Sequence, residues 1–286
     1  MICSFRCFML LSIITINYNN KNGLQKTIDS VVSQSFRDFE WIVIDGGSTD
    51  GSRELIEQYA DHFAFWISEP DTGIYNAMNK GIKAAKGEYI LFLNSGDALY
   101  QRRALESVLS ESFDEDILYC PYYTSEGTYK VPVEEKNLTL FYLIKTTIHH
   151  SGGSFIKREL FDRYGLYDET LKIVSDWKWF FQAIGIGEAS VRRINIPLSL
   201  YDISGISSVQ IGLRVKEREQ VIQESVHPRL IRDYENYCKL SESISEREDE
   251  VRRSRSYRVG HFVLSPLRFL KQTVQSIRKK VVLLKK

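Results

Sequence analysis

The sequence predicts an α/β fold with a mainly parallel central sheet, followed by a helical, basic C-terminal tail. Three observations support this prediction. Strand-like and helix-like patterns alternate from residue 11 to residue 93, and two of the apolar strands run directly into an aspartate. The composition, with 43% hydrophobic and 26% charged residues, is typical of a globular protein. A chain of 286 residues has room for one large α/β domain and an appendage.

Four apolar runs have the length and composition of buried parallel strands. They lie at residues 11–16, 41–44, 63–67 and 89–93. Apolar residues recur at helical spacing after each of the first three runs, which predicts three connecting helices. We expect Asn22 to cap the first helix, residues 48–50 to cap the second, and Gly87 to end the third. This succession predicts a doubly wound sheet with right-handed crossovers.

The turn after the first strand excludes two classes of nucleotide-binding protein. A dinucleotide-binding domain would have Gly-x-Gly-x-x-Gly here, whereas residues 17–20 are Asn-Tyr-Asn-Asn. The P-loop pattern Gly-x-x-x-x-Gly-Lys occurs nowhere in the chain. The carboxyl ends of parallel strands form the ligand crevice of an open α/β sheet, so the two aspartates after strands still predict a nucleotide site.

The cysteines predict a reduced, cytoplasmic environment. Cys3, Cys7, Cys120 and Cys238 form no Cys-x-x-Cys pair and have no neighbouring histidine pattern. This argues against a disulfide framework and against a zinc site. No run reaches the roughly 18 apolar residues that mark a transmembrane helix.

The N-terminal residues 1–16 have some features of a signal peptide, because Arg6 precedes an apolar stretch. No small-residue cleavage site follows, and cleavage would remove the first predicted strand. We therefore expect no signal peptide. Whether the protein starts at Met1 or at Met9 stays open.

Four motifs follow one another along the chain: SIITINYN at 12–19, WIVIDGGSTDG at 41–51, EPDTGIYNAMNKG at 69–81 and LNSGD at 93–97. In this order they resemble the motifs of the family 2 glycosyltransferases of the GT-A fold, and in particular the members that act in bacterial surface polysaccharide biosynthesis. The segments IHH at 148–150 and SDW at 175–177 also resemble positions of this family.

The resemblance implies a Rossmann-like nucleotide-sugar-binding domain over residues 1–205. Its nucleotide half would occupy about 10–100 and its acceptor half 101–205. Residues 206–250 form a helical, charged extension in this scheme, because their pattern is helix-like and mixed in charge. The implied reaction moves a sugar from a nucleoside diphosphate sugar to an acceptor hydroxyl, with inversion.

Three residues of the nucleotide half are implied to bind the donor. By resemblance, Thr15 and Asn17 border the base and ribose, and Asp45 accepts a hydrogen bond from one of them. An ionised carboxylate suits this role, since it only accepts and makes strong, charge-assisted bonds. The residues by themselves also fit ordinary strand and turn positions, with Asp45 as a turn aspartate before two glycines.

The segment 94–97 occupies the place of the family's Asp-x-Asp metal motif, with Asn94 in place of the first carboxylate. The resemblance implies that Asn94 and Asp97 contact the nucleotide sugar and that Asp97 binds Mg²⁺ or Mn²⁺. Oxygen ligands suit these ions, which neutralise a diphosphate leaving group. The alternative is a plain turn at the end of a strand, because Asn-Ser-Gly-Asp consists of turn residues.

Asp176 resembles the catalytic base of inverting members, a carboxylate that removes the proton of the acceptor hydroxyl. The alternative is that Ser175 or Asp176 caps the helix that follows. Asp168 is the second candidate for the base. His149 resembles a residue that contacts diphosphate or acceptor, and a structural role stays open for it.

Residues 251–286 are predicted to form a basic amphipathic tail. They hold 11 Lys/Arg and no acidic residue, which leaves 27 basic against 37 acidic residues in the rest of the chain. Apolar residues recur every three or four positions from Leu267 to Leu284. This pattern favours an interfacial helix on an anionic membrane, and thus a peripheral position on the inner face of the cell membrane. A coiled coil and docking onto the protein's own body stay alternatives.

Together these features predict a metal-dependent glycosyltransferase of surface polysaccharide assembly. Its predicted partners are a nucleoside diphosphate sugar and a glycan or lipid-linked glycan acceptor, and no nucleic acid. Two alternatives stay open: sugar transfer to a lipid phosphate, and a catalytically inactive nucleotide-sugar-binding partner of another transferase. The sequence names neither the donor sugar, the acceptor, the linkage nor the oligomeric state.

Overall fold

The computed structural model describes residues 11–205 and 209–254. The chain divides into two compact units, Met1–Glu224 and Ser225–Lys286. The first unit contains the predicted catalytic domain, residues 1–205, and the start of the predicted charged extension.

The first unit alternates strands and helices along the chain. Its strands are β1 (Leu11–Asn17), β2 (Phe39–Asp45), β3 (Phe65–Ser68), β4 (Tyr89–Phe92), β5 (Ala98–Leu99), β6 (Ile117–Tyr119), β7 (Tyr122–Thr124), β8 (Tyr129–Lys130), β9 (Ser154–Lys157), β10 (Val191–Arg193) and β11 (Ser199–Tyr201). Its helices are α1 (Lys21–Val32), α2 (Ser52–Gln58), α3 (Ile74–Ala84), α4 (Ala104–Leu109), α5 (Leu140–Lys145), α6 (Glu159–Tyr164), α7 (Ser175–Phe180) and α8 (Ile211–Ser225). A π-helical turn, Phe181–Ile186, continues α7.

Seven strands form the central sheet in the order β10-β6-β9-β4-β1-β2-β3. All neighbours are parallel except β9, which runs antiparallel to both β4 and β6. A second sheet of four short strands has the order β5-β11-β7-β8. The predicted α/β class with a mainly parallel sheet is confirmed.

The central sheet is buried on both faces, which explains its continuous apolar strands. Consecutive strand residues point to opposite faces. Ile13 and Trp41 pack with the apolar residues of α1 and α2, whereas Ile14 and Ile42 pack with those of α3.

The strand register places the candidate site. Asn17 pairs with Asp45 at the carboxyl ends of β1 and β2, and Asp45 pairs with Ser68 at the end of β3. Asn94 and Ser95 follow β4 at the same edge, where the Ser95 amide donates to the Ile16 carbonyl at 3.1 Å. The polar residues that end these strands thus share one crevice edge.

The start of α1 differs from the prediction. Asn20, not Asn22, is the N-cap, and its side chain accepts a hydrogen bond from the Gly23 amide at 3.1 Å. A capping side chain must precede the first helical residue, and Asn22 lies inside the first turn. Likewise Gly51, with φ of 91°, is the N-cap residue of α2, so residues 48–50 do not occupy that position.

The start of the third strand and the end of the third helix also differ from the prediction. Phe63 lies outside β3, because a 3-10 turn at Ala60–His62 precedes it and its ring packs edge-on against Trp41. α3 ends at Ala84, so Gly87 does not stop it. A Cβ on Gly87 would stand 2.6 Å from the Ser12 amide nitrogen, so this glycine permits the close approach to β1.

The second unit contains the long helix α9 (Pro228–Arg253), which has no buried residue. Pro228 occupies its first turn, a position that needs no amide donor. The predicted basic tail lies outside the described residues from residue 255 onward. Within the described ranges, no helix combines the length and apolarity needed to cross a bilayer.

Candidate active site

Asp45 lies fully buried at the end of β2 and accepts four hydrogen bonds. Its Oδ1 accepts from Asn17 Nδ2 at 2.8 Å and from the Ser48 hydroxyl at 2.6 Å. Its Oδ2 accepts from the Ser68 hydroxyl at 2.6 Å and from the Ser48 amide at 2.9 Å. Burial opposes ionisation, yet the bonds from Ser48, Ser68 and Asn17 outweigh it and hold the pKa of Asp45 below its usual range. The carboxylate is therefore ionised and fixed in position at neutral pH.

Asn17 lies beside Asp45 and keeps an unpaired acceptor. Its side chain is 3% exposed, and Nδ2 also donates to the Ser48 hydroxyl at 3.2 Å. Its Oδ1 is buried and has no partner among the described residues. Such an atom costs about 1–3 kcal/mol unless something donates to it, so it is a natural place for a ligand donor.

Thr15 does not join this pair. It is fully buried within β1, and its hydroxyl accepts a hydrogen bond from the Trp41 indole at 3.0 Å. Asp71, which the sequence analysis did not single out, lies close instead, because its Oδ2 is 2.5 Å from where a Cβ on Gly46 would stand. Burial, together with the charge of Asp45, raises the pKa of Asp71. The one sequence feature that could have identified Asp71 is its position within the motif at 69–81.

The carboxylate of Asp97 is also enclosed, since the residue is 4% exposed. Its Oδ1 accepts from the Asp202 amide at 2.8 Å and its Oδ2 from the Ser151 hydroxyl at 2.5 Å. Burial raises the pKa of Asp97 to about 7, against the effect of these two bonds.

Asp202, just after β11, brings a second carboxylate to the same place. Its Oδ2 lies 2.7 Å from where a Cβ on Gly96 would stand, so a larger residue at position 96 would have to displace this carboxylate. Asn94 is close in sequence, and its Oδ1 is buried without a partner. The sequence analysis missed Asp202, because a residue 105 positions away has no local signal.

The oxygen donors here are of the kind that Mg²⁺ and Mn²⁺ prefer: two carboxylates and one amide oxygen. Within the described residues, no group of three His, Cys, Asp or Glu side chains could hold an ion by itself. These residues fit an ion that completes its shell with phosphate oxygens and water, as Mg²⁺ commonly does.

His149 and His150 have different surroundings. The His149 ring stacks on Tyr122 with 3.7 Å between centroids, and its Nε2 is buried without a partner. Burial and the neighbouring His150 lower the pKa of His149 to about 3, so the ring is neutral. His150 Nε2 lies 2.7 Å from the Tyr167 hydroxyl, and its ring stacks on Phe92.

Asp176 lies in the first turn of α7, and its Oδ1 accepts a hydrogen bond from the Tyr75 hydroxyl at 2.8 Å. Neither Ser175 nor Asp176 caps this helix. Val174 is the N-cap residue and has no side-chain cap bond, while the Ser175 hydroxyl accepts from the Asp168 amide at 2.6 Å. The carboxylate of Asp176 therefore faces Tyr75 rather than the helix amides.

Asp168, the second candidate for the base, is engaged elsewhere. It pairs with Lys178 at 2.6 Å and accepts from the Thr170 hydroxyl at 2.6 Å. Although burial opposes this, these contacts lower the pKa of Asp168 to about 2, which makes it a weak proton acceptor.

The structure joins the predicted residues in two groups. Asn17 and Asp45 form one at the ends of β1 and β2. Asp97 and Asp176 belong to the other group, and the segment His150–Ser151 connects them. Ser151 donates to Asp97, and the charge of Asp176 acts on His150.

The model of the family "Glycosyl transferase family 2" matches residues 12–165. In the solved structure of S. aureus TarS in complex with UDP, a similar fold superposes with a TM-score of 0.57 at 21% identity, over 68% of this chain and 60% of that one. The mannosyltransferase PcManGT from Pyrobaculum calidifontis, solved with GDP-Man and Mn²⁺, gives 0.50 at 16% identity, over 66% and 55%. The fold is thus of the GT-A class. The chain belongs to glycosyl transferase family 2.

Proteins of similar sequence are also named glycosyltransferases. An uncharacterised glycosyltransferase of Mycobacterium tuberculosis is 32% identical over 205 residues, 69% of this chain and 77% of the relative. One of Rickettsia typhi is 30% identical over 190 residues, 62% of this chain and 59% of the relative. A PGL/p-HBAD biosynthesis glycosyltransferase of Mycobacterium bovis is 27% identical over 217 residues, 73% and 83%. This chain thus spans less than two thirds of the Rickettsia relative and of the TarS chain.

Proposed function

We propose that this glycosyltransferase moves a sugar from a nucleoside diphosphate sugar to a hydroxyl of a glycan or lipid-linked glycan, with inversion at the anomeric carbon. One observation carries the proposal. In the part of the chain that the structure describes, five buried side-chain N or O atoms lack a partner, and three belong to Asn17, Asn94 and His149. The family motifs imply donor contacts for Asn17 and Asn94, and a contact with diphosphate or acceptor for His149. Unpaired buried polar atoms are costly, so their concentration here favours a polar ligand.

The donor half of the proposed site consists of groups that are already fixed. Asp45 is ionised and buried, and Asn17 presents its free Oδ1 beside it. These acceptors suit the N–H and O–H groups of a base and a ribose. Thr15, by contrast, would support the pocket through Trp41 rather than touch the nucleotide.

The chemical step in this proposal belongs to Asp176. Its carboxylate removes the proton of the acceptor hydroxyl, whose oxygen then bonds to the anomeric carbon from the side opposite the diphosphate. The bond between that carbon and the diphosphate oxygen breaks, and the nucleoside diphosphate leaves with the electron pair. Tyr75 orients the carboxylate by its 2.8 Å hydrogen bond.

A divalent cation belongs to this proposal, as Mg²⁺ or Mn²⁺. Asp97, Asp202 and the Asn94 amide oxygen are the residues that would hold it. When bound, such an ion supplies positive charge against the diphosphate leaving group. GT-A family glycosyltransferases generally use divalent metals, and PcManGT was solved with Mn²⁺.

The names of similar proteins support the substrate classes. TarS was solved with UDP and with UDP-GlcNAc, and PcManGT with GDP-Man. The Mycobacterium bovis relative carries the name of PGL/p-HBAD biosynthesis. We extend these substrate classes to this chain as a sugar nucleotide donor and an acceptor of surface glycan or glycolipid assembly. With the basic tail, they favour a peripheral position at the inner face of the cell membrane.

The test begins with binding. UDP-, GDP- and dTDP-sugars are titrated into the full-length protein with and without Mn²⁺, and the expected result is affinity for one nucleotide class that Mn²⁺ tightens. Asp45→Asn should weaken this binding, whereas Asp61→Asn, a change at an exposed position, should not. An absence of binding by every nucleotide sugar would refute the proposed donor class.

The second test isolates the base. Asp176→Asn keeps the size of the side chain but cannot take a proton, so turnover should fall by about 10²-fold or more while donor affinity persists. Asp168→Asn is the matched variant and should leave more activity. Turnover of Asp176→Asn within a few-fold of the unaltered protein would remove Asp176 as the base.

A further inference from the structure

Helix α8 lies beyond the family match and carries charged residues on its inward face. Glu217 is 7% exposed and accepts hydrogen bonds from the amides of Lys172 and Ile173 at 2.8 and 3.0 Å. Val221, one turn on, is 1% exposed. These contacts fasten α8 to the segment that leads into α7, three residues before Asp176.

Arg218 follows Glu217 and is held by two contacts. Its guanidinium lies over the Trp177 ring, 4.8 Å from the centroid. Its Nη1 donates to the Lys145 carbonyl at 3.3 Å, at the C-terminal end of α5, where carbonyls carry partial negative charge. The Trp177 indole donates to the Leu143 and Thr146 carbonyls of the same segment, so the ring beneath Arg218 is itself fixed.

The other edge of the guanidinium has no hydrogen-bond partner in the part of the chain that the structure describes. Nε is buried without a partner, and Nη2 makes no hydrogen bond or ion pair with a described residue. Burial and the charge of Arg214 lower the pKa of Arg218, and the charge of Asp176 opposes this. Arg214 is four residues earlier on the same helix, and two like charges at this spacing destabilise a helix.

Asp176 is the residue just before Trp177, whose ring lies under the Arg218 guanidinium, and the opposite charges of Asp176 and Arg218 act on each other although no ion pair joins them. A planar guanidinium with a free edge matches the two oxygens of a phosphate or carboxylate. The adjacent Asp176 defines where the acceptor hydroxyl lies in the proposed reaction, and this inference rests on that proposed function. The nucleotide half, with Asn17 and Asp45, offers its own polar groups to the donor.

We infer that Arg218 binds an oxyanion, phosphate or carboxylate, carried by the acceptor, and so makes this glycosyltransferase specific for anionic acceptors. In this arrangement Arg218 grips the anionic group while the acceptor hydroxyl reaches Asp176. Trp177 and the Lys145 carbonyl hold the guanidinium in place before the acceptor arrives, which lowers the entropy cost of binding.

The test uses full-length protein and octyl phosphate as the probe, with octyl glucoside as its uncharged counterpart. Binding is measured by calorimetry with the nucleoside diphosphate present at saturation, so that the donor's phosphate positions are filled. The unaltered protein should bind octyl phosphate and not octyl glucoside. Arg218→Gln should weaken that binding at least tenfold, and Arg218→Lys should give an intermediate loss, because lysine keeps the charge but not the fork.

Lys216→Gln is the matched control, since it removes one positive charge from an exposed position of the same helix. It should leave the binding of octyl phosphate unchanged. If Arg218→Gln does not fold, as a thermal melt would show, Arg218→Lys carries the test. Equal binding of octyl phosphate by the Arg218 variants would overturn the inference. So would a loss confined to nucleoside diphosphate affinity, which would assign Arg218 to the donor.

The same samples separate this inference from the proposed function. Affinity for the nucleoside diphosphate reports the donor site and needs no acceptor, whereas octyl phosphate reports Arg218 and needs no turnover. A protein that binds octyl phosphate through Arg218 but no nucleotide would refute only the proposed function. Tight nucleotide binding with no affinity for octyl phosphate would refute only the inference.

Discussion

The Tyr75 hydroxyl donates a 2.8 Å hydrogen bond to Oδ1 of Asp176, joining two residues that are 101 positions apart. Tyr75 lies in the first turn of α3 and is 4% exposed. Burial, and then the charge of Asp176, raise the pKa of Tyr75 well above its usual value, so the phenol stays protonated and keeps donating. The nucleotide half of the fold therefore sets the orientation of the carboxylate on α7.

Tyr75→Phe should lower turnover while sparing donor affinity. Hydrogen bonds to charged groups contribute about 1.5–3 kcal/mol, so a fall of about tenfold or more in kcat is expected if that orientation matters for the chemical step. Steady-state kinetics and donor titration measure the two quantities. Tyr129→Phe is the matched control, because Tyr129 is 44% exposed on β8. Unchanged kcat in Tyr75→Phe would make the bond purely structural.

Regular patterns in the sequence were enough to predict β1 to β4 of the central sheet and the first three helices, but not β6, β9 and β10. The β-branched run of β1 and the Asp at the end of β2 predicted both a buried parallel strand and its crevice end. Boundaries were less predictable. Phe63 is apolar like a strand residue, but the turn at Ala60–His62 takes it out of register, and a local pattern does not show where a turn ends.

Long-range partners in the site were not predictable from spacing. Asp202 meets Asp97 from 105 positions away, and Glu217 meets Lys172 from 45 positions away. These contacts arise because β11 pairs with β5 and β7 and because α8 packs against the segment before α7, neither of which a local motif encodes. The burial of these residues could not be predicted either. Asn94 and Asp97 are residue types that are common in turns, yet the structure encloses Asp97.

Asp97→Ala should destabilise the protein as well as impair it. A turn aspartate would be removed at little cost, but here the change leaves the Asp202 amide and the Ser151 hydroxyl without an acceptor. An unfolding free energy lower by about 2 kcal/mol or more is expected from urea denaturation. Asp97→Asn keeps an acceptor and should lose less stability, so it is the variant in which loss of Mn²⁺-dependent donor binding is measured. Full stability of Asp97→Ala would contradict the enclosed position.

His149 should make the fold sensitive to acid. Its pKa is about 3 in the folded protein, because burial disfavours the charged ring, against an ordinary value of 6.5. Below pH 6.5 the unfolded chain therefore binds a proton that the folded chain does not. Stability is lost as the pH falls from 6.5 toward 3, by about 2 kcal/mol at pH 5 if the ring stays neutral.

His149→Phe keeps a ring to stack on Tyr122 and removes this titration. The measurement is the unfolding free energy from urea melts at pH 7, 6 and 5. As the pH falls, the unfolding free energy of the unaltered protein should decrease relative to that of His149→Phe. His62→Phe, at an exposed position, should show no such shift. A constant difference across this range would mean that His149 titrates normally.

Removal of residues 255–286 should release the protein from anionic vesicles. This deletion spares α9, which ends at Arg253, and removes most of the basic and apolar residues of the predicted tail. Basic residues near an anionic surface contribute about 1 kcal/mol each to membrane binding, and salt weakens this electrostatic contribution. Co-sedimentation with anionic and neutral vesicles, at low and high salt, measures it. Equal sedimentation of both chains would favour docking or self-association of the tail, and donor affinity should be unaffected by the deletion.

Asn94→Ala should separate binding from stability. The Asn94 side chain has no hydrogen bond to any residue that the structure describes, and its backbone amide still donates to Ser151 after the change. The unfolding free energy should therefore change by no more than about 0.5 kcal/mol, while the affinity for the donor nucleotide sugar falls about fivefold to tenfold. Asn79→Ala is the matched contrast, because the Asn79 side chain is 2% exposed and bonds to Tyr167 and Glu169. It should lose stability by about 1–3 kcal/mol. If Asn94→Ala bound the donor as tightly as the unaltered protein, its unpaired oxygen would have no part in the site.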